Sequence, residues 1–374
     1  MRYKTFQDLQ LSALGMGCMR LPLKGGNSEI DEEQTARMAA YAMAHGINYF
    51  DTAWGYHGGN SESVMGKILS AYPRDAYHLA SKFPGYDLAN MPKVQEIFAR
   101  QLERCQSEYF DFYLFHNVCE LNIDAYLNEE YGILDHLLKQ KEAGRIRHLG
   151  FSAHGSIPVM ERFLNAYGEH MEFCQIQLNY LDWSLQDAKG KVELLNARHI
   201  PIWVMEPLRG GKLCTLDEEA MSELQKLRSQ ESMSGWAFRF LQSIPGVTMI
   251  LSGMSDMQQL QENIETFADE QPLNEDEMKT LTGIGRRMST SVPCTACRYC
   301  IEHCPRSLDI PELIRLYNDM VYSDGSFSAR NAVNALPADK QPSACIGCGH
   351  CQALCPQQIH IPDIMRDLAR RISE

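Results

Sequence analysis

The chain has 374 residues, 44% of them hydrophobic and 22% charged, and a formal net charge of −13. Length and composition are those of a globular protein with one large domain and a small one. The acidic balance argues against nucleic acid or an anionic membrane surface as partner, since both need clustered positive charge. No apolar run approaches the ~18 residues of a membrane span. The N-terminus lacks the apolar core of a signal peptide, so a cytoplasmic location is expected.

In chain order, short apolar runs alternate with amphipathic ones. The expected strands are 14–18, 47–52, 77–82, 112–116, 146–152, 173–179, 200–206 and 247–253. Helical patterns fall at 32–46, 61–72, 94–109, 133–144, 159–168, 185–199, 217–243 and 257–267. Such alternation predicts parallel βα units, and eight of them close an α/β fold, the (β/α)8 TIM barrel. An open doubly wound sheet would need G-x-G-x-x-G after the first strand. Gly15-Met16-Gly17 lies inside that strand and lacks the third glycine. The expected division is a barrel over 1–270, a linker helix over 271–290 and a second domain over 291–374.

In a barrel, chemistry sits at the C-terminal strand ends. There the sequence places Asp51, Tyr56 in the following loop, Lys82 and His116. A tyrosine hydroxyl titrates near ~10. A lysine cation beside it lowers that value, an aspartate holds the lysine charged, and a histidine can hold a carbonyl oxygen. Trp54, Tyr86 and Trp183 fall in rim loops, where they line a pocket or simply pack.

Five of the thirteen cysteines are scattered through the first 290 residues, and eight crowd the end of the chain. They form two copies of one pattern: Cys294-x2-Cys297-x2-Cys300-x3-Cys304-Pro305 and Cys345-x2-Cys348-x2-Cys351-x3-Cys355-Pro356. Structural zinc favours paired C-x2-C hooks, whereas four cysteines and a trailing proline resemble the bacterial ferredoxin run. In two-cluster ferredoxins the fourth cysteine ligates the other cluster. That resemblance assigns Cys294, Cys297, Cys300 and Cys355 to one 4Fe–4S cluster, and Cys345, Cys348, Cys351 and Cys304 to a second. Between the runs, residues 310–322 carry helical periodicity, so an α-helical ferredoxin-like domain is expected rather than a βαβ one.

The segment GINYFDTAWGYHGGNSESVMG, with Asp51 and Tyr56, resembles the aldo-keto reductase signature. SKFP (Lys82), DFYLFH (His116), IRHLGFS, CQIQLN and MEPLRGGKL match in order, and the resemblance covers residues 1 to 270. It implies a tyrosine that protonates or deprotonates the substrate oxygen while hydride moves to or from nicotinamide. It also implies nicotinamide contacts at Ser152 and Gln175, with Ala153 where the family has Asn and Met205 where it often stacks a Tyr. Leu208 is a further expected cofactor contact, and Gly210, Gly211 and Lys212 are expected to cradle a pyrophosphate. Gly253 and Gln259 replace the usual cations for a 2′-phosphate, so NADPH preference is not supported, while Asn263 matches.

The expected cofactors are two 4Fe–4S clusters and NAD(H) or NADP(H). A hydride carries two electrons and a cluster one, so coupling them calls for a flavin or a radical-tolerant substrate. The leading expectation is a redox enzyme acting on a small carbonyl or alcohol, with an external electron carrier as a possible partner. The alternatives are an NAD(P)H-dependent reductase with structural or sensing clusters, and a non-catalytic electron-transfer protein.

Overall fold

The computed structural model of the chain describes residues 1–25, 29–120, 122–289, 292, 294, 298–322, 330, 333–334, 336–355 and 357–374. The chain divides into two compact units, Met1–Asp182 with Asp187–Thr280, and Trp183–Gln186 with Leu281–Glu374.

Eight strands of the first unit close a barrel: β3 (Leu14–Gly17), β4 (Tyr49–Asp51), β5 (His78–Phe83), β6 (Phe110–Val118), β7 (Ile146–Ala153), β8 (Cys174–Gln177), β9 (Ile202–Met205) and β10 (Val247–Ser252). Each pairs in parallel with the next, and β10 returns to β3. All eight expected strands are present, with ends shifted by two residues at most. The buried interior is packed by Tyr49, Ala80, Phe112, Leu114, Phe173, Trp203, Met249 and Leu251. Gly15 makes room for this packing, because a Cβ there would stand 2.7 Å from Leu251 Cδ2 and 2.9 Å from Met249 Sδ.

A hairpin of β1 (Tyr3–Phe6) and β2 (Leu9–Ser12) precedes the barrel and has no counterpart in the sequence reading. Its strands are only four residues long, and Gln7 takes the left-handed conformation (φ 52°) at a turn without Asn-Gly or Asp-Gly. The hairpin seats Phe6 against the barrel interior, its ring 5.0 Å from Trp203 and 5.7 Å from Phe112.

The expected helices surround the barrel, with two corrections. The 217–243 stretch is two helices, Glu218–Leu227 and Met233–Gln242. Arg228 leaves the helix in an extended conformation and forks onto Glu277 at 2.6 and 2.7 Å, and the Ser232 hydroxyl then caps the second helix by accepting from Gly235 N. The 185–199 stretch begins with a separate turn, Asp182–Leu185, and restarts at Ala188–Ala197, capped by Asp187.

In the second unit the described residues form helices and no strands: Tyr299–Glu302, Ile310–Tyr322, His350–Ala353 and Ile361–Ser373, besides short 3-10 turns. Leu313, Ile314, Met320, Met365 and Leu368 form its core, and the Tyr317 hydroxyl donates to Asp367 at 2.9 Å across the two long helices. Among the described residues no helix is long and apolar enough to cross a membrane.

In the barrel unit, Glu172 gathers donors from Lys141 (2.5 Å), His148 (2.8 Å), Gln7 (2.7 Å) and Leu149 N (3.0 Å). Burial opposes its charge, but these hydrogen bonds hold its carboxyl down at about 2. A depressed carboxyl contributes stability above its ordinary value near 4.5 and loses it as pH falls toward 2. Glu172→Gln should therefore flatten the acid limb of barrel stability between those pH values, measured by denaturant unfolding as a function of pH.

Candidate active site

A strand's side chains alternate faces with a period of two. Tyr49 on β4, Ala80 on β5, and Phe112 and Leu114 on β6 belong to the packed interior. The next inward positions toward the C-terminal end are Asp51, Lys82 and His116. The same count on β7 to β10 gives Ser152, Gln175, Met205 and Gly253. One pleat above the core thus brings almost every expected strand-borne site residue to one rim.

Lys82 is fully buried and Asp51 nearly so. The Lys82 ammonium donates to Asp51 Oδ1 at 2.6 Å, to the Thr52 carbonyl at 2.8 Å and to the Tyr56 hydroxyl at 3.3 Å. Tyr56 opens the 3-10 turn Tyr56–Gly59, which His57 and Gly58 carry through the left-handed region (φ 52° and 64°). His57 fixes that turn by accepting from Leu21 N at 3.1 Å. The His116 ring stands edge-on to Tyr56 at 6.2 Å and to Tyr86 at 5.2 Å. The buried Tyr126 holds the His116 strand end by donating to its carbonyl at 2.7 Å.

Burial opposes the Lys82 charge, but Asp51 and Tyr56 raise its pKa above the usual value, so it stays a cation. Burial depresses the His116 pKa well below 6.5, and the Lys82 cation adds to this, so His116 is neutral near neutral pH. For Tyr56 the sequence reading is corrected. Lys82 pulls its pKa down, but burial outweighs this and raises it above 10, so the phenol keeps its proton.

Among the described residues three buried polar atoms at these strand ends have no hydrogen-bond partner: Asp51 Oδ2, His116 Nδ1 and Gln175 Oε1. Ser152 lies opposite Gln175 in the β7–β8 register, and its Oγ accepts from Asn117 N at 2.8 Å. Gln175 Nε2 reaches Met205 Sδ at 3.7 Å. Leu208 leads into a turn over Arg209–Cys214, where Gly210 and Gly211 have φ of 69° and 90° and Lys212 is half-buried. Gln259 Oε1 accepts from Ser255 N at 2.9 Å. Asn263 is buried and donates to Ser252 Oγ at 3.2 Å.

Arg20 was missed by the sequence reading. It follows β3, far in sequence from the residues it meets. A Cβ at Gly210 would lie 2.9 Å from its Nη2, and one at Gly253 would lie 3.0 Å from its Cβ. Its Nη2 stands 3.4 Å from Glu206 Oε1. A guanidinium therefore sits where Gly253 and Gln259 left the rim without a cation.

In the second unit, Cys304 from the first run and Cys345, Cys348 and Cys351 from the second line one cavity, with Ile310, Ile361 and Met365. Cys294 and Cys355 are partly buried, Cys300 is buried, and all three belong to or pack against the core of that unit. Cys297 lies outside the described residues. No three His, Cys, Asp or Glu among the described residues converge on a point that would hold a single ion. A cubane binds each thiolate to a different iron, so its ligands surround a volume rather than a point.

Residues 13–286 match the family described as aldo/keto reductase. The chain belongs to that family. A second match, over residues 293–360, is to a 4Fe-4S dicluster domain, so this aldo/keto reductase carries an iron–sulfur domain C-terminal to its barrel in the chain. It is 25% identical over 309 residues to the uncharacterized oxidoreductase YqkF of Bacillus subtilis (strain 168), covering 73% of this chain and 92% of that protein. It is 26% identical to the NADH-specific methylglyoxal reductase of Escherichia coli (strain K12) over 55% of this chain and 66% of that one. The fold matches that of aldo-keto reductase AKR11C1 from Bacillus halodurans in its holo form, with a TM-score of 0.63 and 22% identity over 76% of this chain and 96% of that one.

Removing one partner of a buried ion pair leaves an uncompensated charge and costs about 3–5 kcal/mol. Lys82→Met should lower barrel stability by that order in chemical denaturation. Adding Asp51→Asn should recover most of the loss.

Proposed function

We propose that this aldo/keto reductase interconverts a small carbonyl compound and its alcohol at the Asp51–Lys82–Tyr56–His116 rim. The observation that carries the proposal is the buried Lys82 cation bonded at once to Asp51 and to the Tyr56 hydroxyl. Tyr56 donates its proton to the carbonyl oxygen as negative charge develops there. Its ligand-free pKa is too high for the phenol to ionise alone, so the proton leaves only when a more basic oxygen arrives beside it. Lys82 steadies the phenolate that results, and Asp51 keeps Lys82 charged through the step. His116, being neutral, donates a hydrogen bond to the same oxygen without competing for the proton.

The unpartnered Gln175 Oε1, with Ser152 and Met205 on the neighbouring strands, fits a carboxamide and a flat ring. A nicotinamide bound there supplies or accepts the hydride. Leu208, Gly210 and Lys212, joined by Arg20, offer backbone and cationic groups to its phosphates. The methylglyoxal reductase relative is named for the same kind of chemistry on a small carbonyl.

In the second unit the cavity shared by Cys304, Cys345, Cys348 and Cys351 fits a cluster bound across both runs. Cys294, Cys297, Cys300 and Cys355 remain for the second cluster. The clusters supply one-electron transfer, in exchange with the barrel site or an external carrier.

Tyr56→Phe should lower kcat with a small aldehyde and NADH or NADPH by about 10²–10⁴-fold while leaving nicotinamide binding unchanged. Full turnover by that variant would overturn the assignment. Crossed ligation predicts that Cys304→Ser disturbs the cluster that Cys348→Ser also disturbs, and that Cys355→Ser disturbs the other. EPR of the reduced proteins, with iron analysis, reads this directly. Equal spectra for Cys304→Ser and Cys300→Ser would contradict it.

A further inference from the structure

Among the buried polar clusters that the proposed chemistry leaves unused is one on the helix side of the barrel wall behind Lys82. Glu62, fully buried in the first turn of helix Ser61–Leu69, is its centre. Its Oε1 accepts from the Ser81 hydroxyl at 2.7 Å and from Gln101 Nε2 at 2.6 Å. Gln101 Nε2 also reaches the Lys82 carbonyl at 3.0 Å, and Gln101 Oε1 accepts from the Tyr113 hydroxyl at 2.5 Å. The other carboxylate oxygen, Glu62 Oε2, faces Arg104 Nη1 at 3.3 Å. Arg104, ending helix Val94–Arg104, lays its guanidinium over the Trp54 ring at 3.9 Å. Trp54 stands in the loop between Asp51 and Tyr56.

We infer that Glu62 and Arg104 are positioning residues that clamp the Trp54–Tyr56 loop against Lys82 and so set the contact between the Lys82 ammonium and the Tyr56 hydroxyl. One arm of the cluster grips β5 through the Ser81 hydroxyl and the Lys82 carbonyl. The other runs through Arg104 to Trp54. A neutral amide at position 62 would still present an oxygen to Ser81 and Gln101. The carboxylate is therefore required for Arg104, and Arg104 for Trp54, rather than for tying strand to helix. A buried charge is retained only when paired, and a guanidinium stacked on an indole fixes the orientation of both.

The inference rests on the reading of Tyr56 as the acid. A displacement of about 1 Å at a reacting group costs on the order of 10²-fold in rate. In the cluster-replete protein, Glu62→Gln and Arg104→Ala should each lower kcat for a small aldehyde by roughly 10- to 100-fold on that scale, with KM little changed. Arg104→Lys, which keeps the charge but loses the planar stack, should restore only part. Acrylamide quenching of Trp54 fluorescence, taken as the difference from Trp54→Phe, should rise in both variants. The double variant should be no worse than Arg104→Ala alone. Wild-type kcat per folded molecule and wild-type Trp54 quenching in both variants, whatever their melting temperatures, would overturn the clamp. Tyr56→Phe run alongside separates the two ideas. If it keeps full turnover, the acid is misassigned, and Trp54 quenching alone then decides whether Glu62 and Arg104 hold the loop.

Discussion

A lysine ammonium with no exposed surface is the constraint on which the barrel mouth is built. Such a cation is costly to bury, and the chain offsets the cost with a carboxylate, a backbone carbonyl and a phenol from one neighbouring strand and its loop. That requirement fixes the partners. Asp51 must stand one inward position beyond the core, the loop must bring Thr52 and Tyr56 back over β5, and the helix behind must leave Lys82 no route to water. The same burial keeps His116 neutral and raises the Tyr56 pKa. The ion pair thus keeps a cation beside a phenol that burial holds protonated.

The two units of the chain have chemically distinct sites. The barrel mouth gathers a buried ion pair, a phenol and a neutral imidazole, the groups to which the proposed function gives the proton and the oxygen. The C-terminal unit, matched to a 4Fe-4S dicluster domain, offers cysteines and an apolar wall. Cys304 shares its cavity with three cysteines that follow it by about forty residues in sequence, so the helical unit must be folded before that site exists. Helix Ile310–Tyr322 lies between the two runs and supplies apolar side chains to the core. Cluster binding and folding of this unit are therefore linked.

Much of this was legible in the sequence because a period of two is a simple rule. Tyr49 to Asp51, Ala80 to Lys82 and Leu114 to His116 are each one step up the same face, and the apolar runs that mark the strands also mark the height of the rim. The cysteine spacing was equally plain. What escaped were contacts made across long separations or by unmarked turns. Arg20 meets Gly210 and Gly253 from nearly two hundred residues away or more, and its place is visible only as space that glycines leave. Glu62 reads in sequence as an ordinary acidic residue in a first helical turn, yet it is a buried hub. The β1–β2 hairpin was hidden by its short strands and by a Gln at its left-handed position. The break at Arg228 was hidden because helical periodicity resumes in the next helix, while the cause, Glu277, lies far along the chain.

The measurement that bears most directly on the account is an anaerobic titration of the cluster-replete protein with NADH and then NADPH, before and after adding a small aldehyde, following nicotinamide and cluster absorbance together. The account predicts that nicotinamide binds and is oxidised in an aldehyde-dependent way. Cluster bleaching in the same experiment would report electron exchange between the units. Failure of both nicotinamides to bind, with no aldehyde-dependent oxidation, would contradict the reading of the barrel mouth as a hydride-transfer site.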